Sequence, residues 1–360
     1  MNINMIIYVL GWVLKIEAGS MLLPIICGLI YGETRPVMSL LVSVVISFII
    51  GTLATFRRPK RTDFYAREGF VICALSWFVM SLIGALPFYL SMAIPSYIDA
   101  LFEIVSGFTT TGASILSDVE HLGKALLFWR SFSHWIGGMG VLVLVLTVLP
   151  LGGGYNMMIM KAESPGPDVS KMVPRVADTA KALYRIYLII TVIMVVIYIL
   201  SGMPVFDALC IGFGTAGTGG FAVRNSGMAD YSMLSQFLIT IFMILFGVNF
   251  NVYYLLQKRK WKDAFHCEEA RAYLAIIAIS TIFIGCNILS LCNGNVLFAF
   301  HHTFFTVGSL ITTTGFSTLD FAQWPQASQM VILFLMYCGA CAGSTGGGIK
   351  VSRILILVKE

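Results

Sequence analysis

The chain has 360 residues, of which 58% are hydrophobic and only 11% charged, and its mean hydropathy is +0.87. Soluble globular proteins carry about 25% charged residues, so this composition excludes a soluble fold and identifies an integral membrane protein. The formal net charge of +5 calls for no nucleic acid, because membrane proteins collect Lys and Arg on the loops of one side.

A helix needs about 20 apolar residues to cross a bilayer. In chain order, the segments 5–30, 37–56, 70–93, 124–150, 184–202, 232–256, 272–292 and 327–358 meet that length and predict eight membrane helices. The first ends in Tyr31-Gly32-Glu33 rather than at a small-residue cleavage site, so it is expected to be retained. Shorter apolar segments at 97–111, 204–217 and 297–313 each run into a turn of Thr and Gly: Thr109-Thr-Thr-Gly112, Thr215-Ala-Gly-Thr-Gly219 and Thr312-Thr-Thr-Gly315. Lipid satisfies no peptide group, so such turns lie at membrane depth only where they are buried in protein or line a wet cavity. They predict re-entrant pore helices.

Lys and Arg concentrate in 57–67, 161–185, 258–271 and 350–359, which places both termini in the cytoplasm. All three Thr/Gly turns then face outward. The same order recurs three times, with Asp99-Ala-Leu-Phe102, Asp207-Ala-Leu-Cys210 and Ala299-Phe-His-His302 preceding the three turns. The predicted fold is an all-α membrane protein of helix, pore helix, filter loop, helix modules. Residues 1–60 supply two additional helices, and 61–160, 161–257 and 258–360 the three modules.

Rows of neutral carbonyl dipoles suit a large monovalent cation that sheds its water cheaply, and Gly permits the dihedrals that align them. Potassium is the expected ion, with sodium second. Asp99 and Asp207 are expected to cap the pore helices. Glu103 either raises cation concentration at the mouth or hydrogen-bonds a neighbouring helix. Arg130, His134, His301 and His302 are expected to be structural, as are the buried cysteines of Cys338-Gly-Ala-Cys341. Asn249 and Asn251 are expected to bridge helices, and Trp77, Trp129 and Trp324 to anchor helix ends at the interface. No nucleophile, base and metal set accompanies them, and a membrane-embedded enzyme is not expected.

Six stretches together carry a family resemblance: Asp99 to Gly112, Phe128 to Gly140, Ala162-Glu-Ser-Pro-Gly-Pro167, Thr218-Gly-Gly-Phe221, Thr312-Thr-Thr-Gly-Phe316 and Gly343-Ser-Thr-Gly-Gly-Gly-Ile-Lys350. With them the chain resembles the TrkH, KtrB and HKT superfamily of potassium transporters, and most of all bacterial TrkH. The resemblance implies modules in a pseudo-fourfold ring around one pore, and potassium uptake across the cell inner membrane without a covalent cofactor, potassium being the substrate. It carries the filter glycines onto Gly112, Gly219 and Gly315, and the other carbonyl-donating positions onto Thr110, Thr111, Gly217, Thr218, Thr313 and Thr314. The intramembrane gate falls on Gly343, Ser344, Thr345, Gly346, Gly347 and Gly348, with Lys350 beyond it expected to snorkel to the cytoplasmic interface or else to repel cations or anchor the loop. This stretch is no phosphate loop, since Ile349 separates the glycines from the lysine. Implied partners are membrane lipid, a second copy in a homodimer and cytosolic nucleotide-binding regulatory subunits such as TrkA. Three of four family modules are present, so the expectation includes a truncated non-conducting remnant, a split subunit needing a second chain, or a sodium-permeable relative.

Overall fold

The computed structural model describes residues 2–59, 66–140 and 176–360. The motif 162–167 and the expected module boundaries at 60/61 and 160/161 lie outside the described residues. The chain divides into two compact units, Met1–Tyr184 and Arg185–Glu360. Every regular element among the described residues is helical.

In the first unit, α1 (Ile3–Ser20) and α2 (Leu22–Ile30) form one apolar stretch, followed by α3 (Thr34–Thr55), α4 (Ala66–Gly84) and α5 (Leu86–Leu90). The α1 and α3 backbones meet closely at Gly11 and Gly51, where added Cβ atoms would press on the opposite helix. Small residues at such crossings let helices associate in lipid, where no hydrophobic driving force separates protein from solvent. Ser47 Oγ adds a 2.9 Å hydrogen bond to the Leu14 carbonyl.

The short helix α6 (Tyr97–Phe108), expected to be a pore helix, packs on α7 (Lys124–Gly138). No side chain at Gly123 caps α7. Instead Glu33 accepts from the Lys124 and Ala125 amides at 2.6 and 2.9 Å, placing a carboxylate where the helix dipole favours it. Trp129 is fully buried and donates to the Gly84 carbonyl at 3.0 Å; it is a core residue rather than an interfacial anchor, and Trp324 is likewise buried.

Helix α8 (Val176–Leu200), most of which belongs to the second unit, leads to the short helix α9 (Val205–Gly217) and then to α10 (Met233–Gly247) and α11 (Phe250–Gln257). There follow α12 (Trp261–Phe265), α13 (Glu268–Ile288), the shorter apolar helix α14 (Val296–Ile311), α15 (Gln326–Cys338) and α16 (Val351–Lys359). Tyr273, Ile277, Ile284, Val307, Ile311 and Leu335 form the buried apolar seam between α13, α14 and α15.

Among the described residues five stretches are long and apolar enough to cross a membrane, and the α10–α11 pair makes up to six. The expected single helix 232–256 is therefore corrected: it bends by 88°. Val248 leaves helical dihedrals, and Asn249 accepts from the Asn251 amide at 2.9 Å, capping a new helix. The expected 327–358 helix is likewise two helices, α15 and α16, with residues 339–350 between them. The expected 124–150 helix is seen over Lys124–Gly138, and positions beyond 140 lie outside the described residues.

Candidate functional site

The three short helices α6, α9 and α14 end in the same way. Thr110, Thr218 and Thr313 donate their amides three residues back, to Gly107, Thr215 and Leu310, at 3.1, 3.2 and 3.0 Å. The next residues, Thr111, Gly219 and Thr314, donate five residues back, to Ser106, Gly214 and Ser309, each at 2.9 Å. This six-to-one closure is a Schellman-type stop. It requires a left-handed residue, and Thr110, Thr218 and Thr313 take φ of 54°, 52° and 58°. A β-branched residue there is strained, so the surrounding contacts must hold it.

Two residues after each of these threonines stands a second left-handed position, at Gly112, Gly220 and Gly315, with φ of 74°, 84° and 85°. The backbone thus sets Gly220, rather than Gly219, in register with Gly112 and Gly315. Gly219 matches Thr111 and Thr314 instead. A Cβ on Gly220 would collide with the Thr314 carbonyl oxygen, so the backbones of turns two and three approach closely there.

The first turn is wedged from α7. His134 Nδ1 lies 2.7 Å from the Gly107 carbonyl oxygen, and Gly137 leaves room for the Phe108 carbonyl. Glu103 is fully buried and takes the second of its two expected roles. It pairs with Arg130 Nε at 2.5 Å and accepts from Ser114 Oγ at 3.0 Å and the Ile115 amide at 2.9 Å. The carboxylate on α6 therefore holds the chain segment that leaves the turn.

Neither Asp99 nor Asp207 is the N-cap. Ser96 caps α6, accepting from the Asp99 amide at 3.4 Å. Pro204 precedes α9, and Asp207 reaches back to Arg224 at 3.1 Å and Tyr231 Oη at 2.8 Å. Burial, and then the Asp207 carboxylate, push the Tyr231 hydroxyl above the ordinary tyrosine range. His301 pairs with Gln236 at 2.8 Å and His302 with Thr318 at 2.9 Å, which fixes the outer loops around turn three.

Residues 339–350 form an irregular loop fastened on two sides. Towards the turns, Thr218 Oγ1 donates to the Thr345 carbonyl at 3.0 Å, and the Gly347 amide donates to Thr313 Oγ1 at 2.7 Å. Towards the α10–α11 bend, the Cys341 amide meets the Gly247 carbonyl at 3.0 Å, and Thr345 reaches the Phe246 carbonyl through Oγ1 at 3.2 Å. Tyr253 and Tyr273 satisfy the two preceding carbonyls, of Leu245 and Ile244, at 2.6 and 3.2 Å. All four terminal carbonyls of α10, which no helix can satisfy internally, thus have donors.

Of the roles expected for Lys350, the structure shows anchoring of the loop: its ammonium donates to the Gly346 carbonyl within it. Cys338 and Cys341 are buried free thiols flanking the loop's start. Sequence reasoning missed Glu269, which binds both ends of the loop from α13. An acidic pair, Glu268-Glu269, inside an otherwise basic connection was the available signal.

A polar backbone of this kind, set among apolar helices, is the equipment of a pathway for ions rather than of a reaction centre. The profile of the TrkH family, described as a cation transport protein, matches residues 37–360, and the chain belongs to that family of multi-pass transporters, which are not enzymes. The chain is 37% identical over 374 residues to the Trk system potassium uptake protein TrkH of Vibrio parahaemolyticus, covering all of this chain and 76% of that protein. It is 35% identical over 372 residues to TrkH of Escherichia coli K12, with the same coverage. The crystal structure of the potassium transporter TrkH from Vibrio parahaemolyticus superposes with a TM-score of 0.86 at 32% identity, covering 99% of this chain and 75% of that one.

Proposed function

We propose that this chain is the membrane subunit of a Trk-type potassium uptake system of the bacterial inner membrane. Its selectivity filter is built from backbone carbonyls of Thr110, Thr111 and Gly112, of Gly217, Thr218, Gly219 and Gly220, and of Thr313, Thr314 and Gly315. The observation that carries this reading is the repeated helix stop, which brings two left-handed residues to the same register three times in a member of a cation transport family. Carbonyls arrayed in this way replace a hydration shell without adding charge. The modules surround one pore with pseudo-fourfold geometry, and both termini are cytoplasmic.

Residues 343–350 act as the gate, held against the filter threonines by direct hydrogen bonds. A loop in that position adds a barrier without supplying the ion's ligands. In this reading a homodimer and a cytosolic nucleotide-binding subunit of the TrkA kind complete the system; the relatives are named as members of a Trk system. The test is rubidium uptake into proteoliposomes holding the complete transporter that contains this chain. Potassium is expected to compete far better than sodium; equal competition by the two ions overturns the filter assignment.

A further inference from the structure

The loop 339–350 has two ends, and one side chain holds both. Glu269 sits in the first turn of α13, half-buried. Its Oε1 accepts from the Ala342 amide at 2.7 Å, where the loop begins, and from the Ser352 amide at 3.1 Å, where α16 begins. Its Oε2 accepts from Asn249 Nδ2 at 3.3 Å, on the α10–α11 bend. No side chain of its own caps α16, whose N-cap position is Lys350 with a left-handed φ of 82°. The carboxylate from α13 therefore supplies the acceptor that an N-terminal helix amide needs, at the end where the dipole favours negative charge.

Glu268, its neighbour, differs in kind. It pairs with Lys359 at 2.5 Å, but both side chains are more than half exposed, at 55% and 59%. Such a pair contributes little. The bonds to Glu269 are charge-assisted and reach backbone in a partly buried setting, where they are roughly twice as strong as neutral ones.

We infer that Glu269 is the positioning residue that latches the intramembrane loop closed, tying its two ends and the α10–α11 bend to one carboxylate. This inference rests on the gate reading given above. Removing the carboxylate frees Ala342 and Ser352 while leaving the filter carbonyls in place, so the loop leaves the pore more often and ion discrimination is unchanged.

The experiment measures initial rubidium uptake by the complete transporter in proteoliposomes. It compares Glu269→Ala, Glu268→Gln, deletion of residues 343–348, and the deletion combined with Glu269→Ala. Glu269→Ala is expected to raise uptake about tenfold, the scale of one lost hydrogen bond to a charged group, with the potassium-over-sodium preference unaltered. Glu268→Gln is expected to leave uptake unchanged, and Glu269→Ala to add nothing once the loop is deleted. Uptake raised by the deletion but not by Glu269→Ala overturns the latch and leaves the gate standing. Uptake unaffected by the deletion overturns the gate itself, and the latch with it. A second measurement covers failure of Glu269→Ala to assemble: hydrogen exchange on purified Glu269→Gln. There the Ala342 and Ser352 amides are expected to exchange about fivefold faster, reflecting the weaker neutral acceptor; unchanged exchange overturns the latch.

Discussion

The pair of Glu103 and Arg130 offers the sharpest test of how the first turn is held. Both side chains are buried, at 0% and 3% exposure, and the carboxylate also binds Ser114 and Ile115 just beyond Gly112. Glu103→Gln keeps the shape but leaves the guanidinium without its counter-charge, and Arg130→Met leaves the carboxylate. Breaking a buried pair from one side costs about 3–5 kcal/mol, whereas replacing both partners is often near neutral. The double variant should therefore be more stable than either single one. The coupling is expected to be at least about 2 kcal/mol, well beyond the ~0.5 kcal/mol scatter of independent sites. Denaturant unfolding of the purified protein in detergent, followed by tryptophan fluorescence, gives the four stabilities of the cycle. Glu103→Gln should also weaken potassium-over-sodium preference, because the Ile115 amide is left with a neutral and weaker acceptor. Additive losses in the double variant would refute the reasoning, since they would mean the two charges do not depend on each other.

The register of the second turn is open to a direct comparison. Gly220→Ala combines a left-handed φ with a clash on the Thr314 carbonyl, about 2 kcal/mol or more, and should cut ion discrimination about 30-fold; Gly219, which has no left-handed φ, should tolerate Ala better. Discrimination lost more severely in Gly219→Ala would show the register to be wrong. At the start of α6, Ser96→Ala should destabilise by about 1 kcal/mol, while Asp99→Asn should change stability by less than that; the same unfolding assay reads both, and the reverse order would make Asp99 the cap.

Much of this architecture is legible in the sequence because membrane depth limits what backbone can do. Apolar segments too short to cross, each followed by Thr and Gly, mark α6, α9 and α14 to within a few residues. Three adjacent glycines, Gly346 to Gly348, mark the break between α15 and α16. The bend at Val248 carried no such mark. It comes from Asn249 capping a new helix, a local competition that apolar composition hides. The register of turn two was ambiguous because Gly219 and Gly220 are adjacent, and only the left-handed φ separates them. The roles of Asp207, Trp129 and Glu269 depend on partners 17 to 83 residues away. Pattern along the chain is silent about such pairings.

The bend between α10 and α11 sets a condition on any movement of the loop. The carbonyls of Phe246 and Gly247 are satisfied by Thr345 and Cys341, which belong to the loop itself. If the loop withdraws, as the proposed gate requires, two strong acceptors lose their donors within a stretch apolar enough to lie in the membrane. Leaving them bare costs several kcal/mol each, so intermediate positions of the loop are the least stable ones. Water must arrive as the loop departs. Opening of the proposed gate would then be a wetting transition as much as a displacement, beginning with a pair of newly hydrated peptide groups.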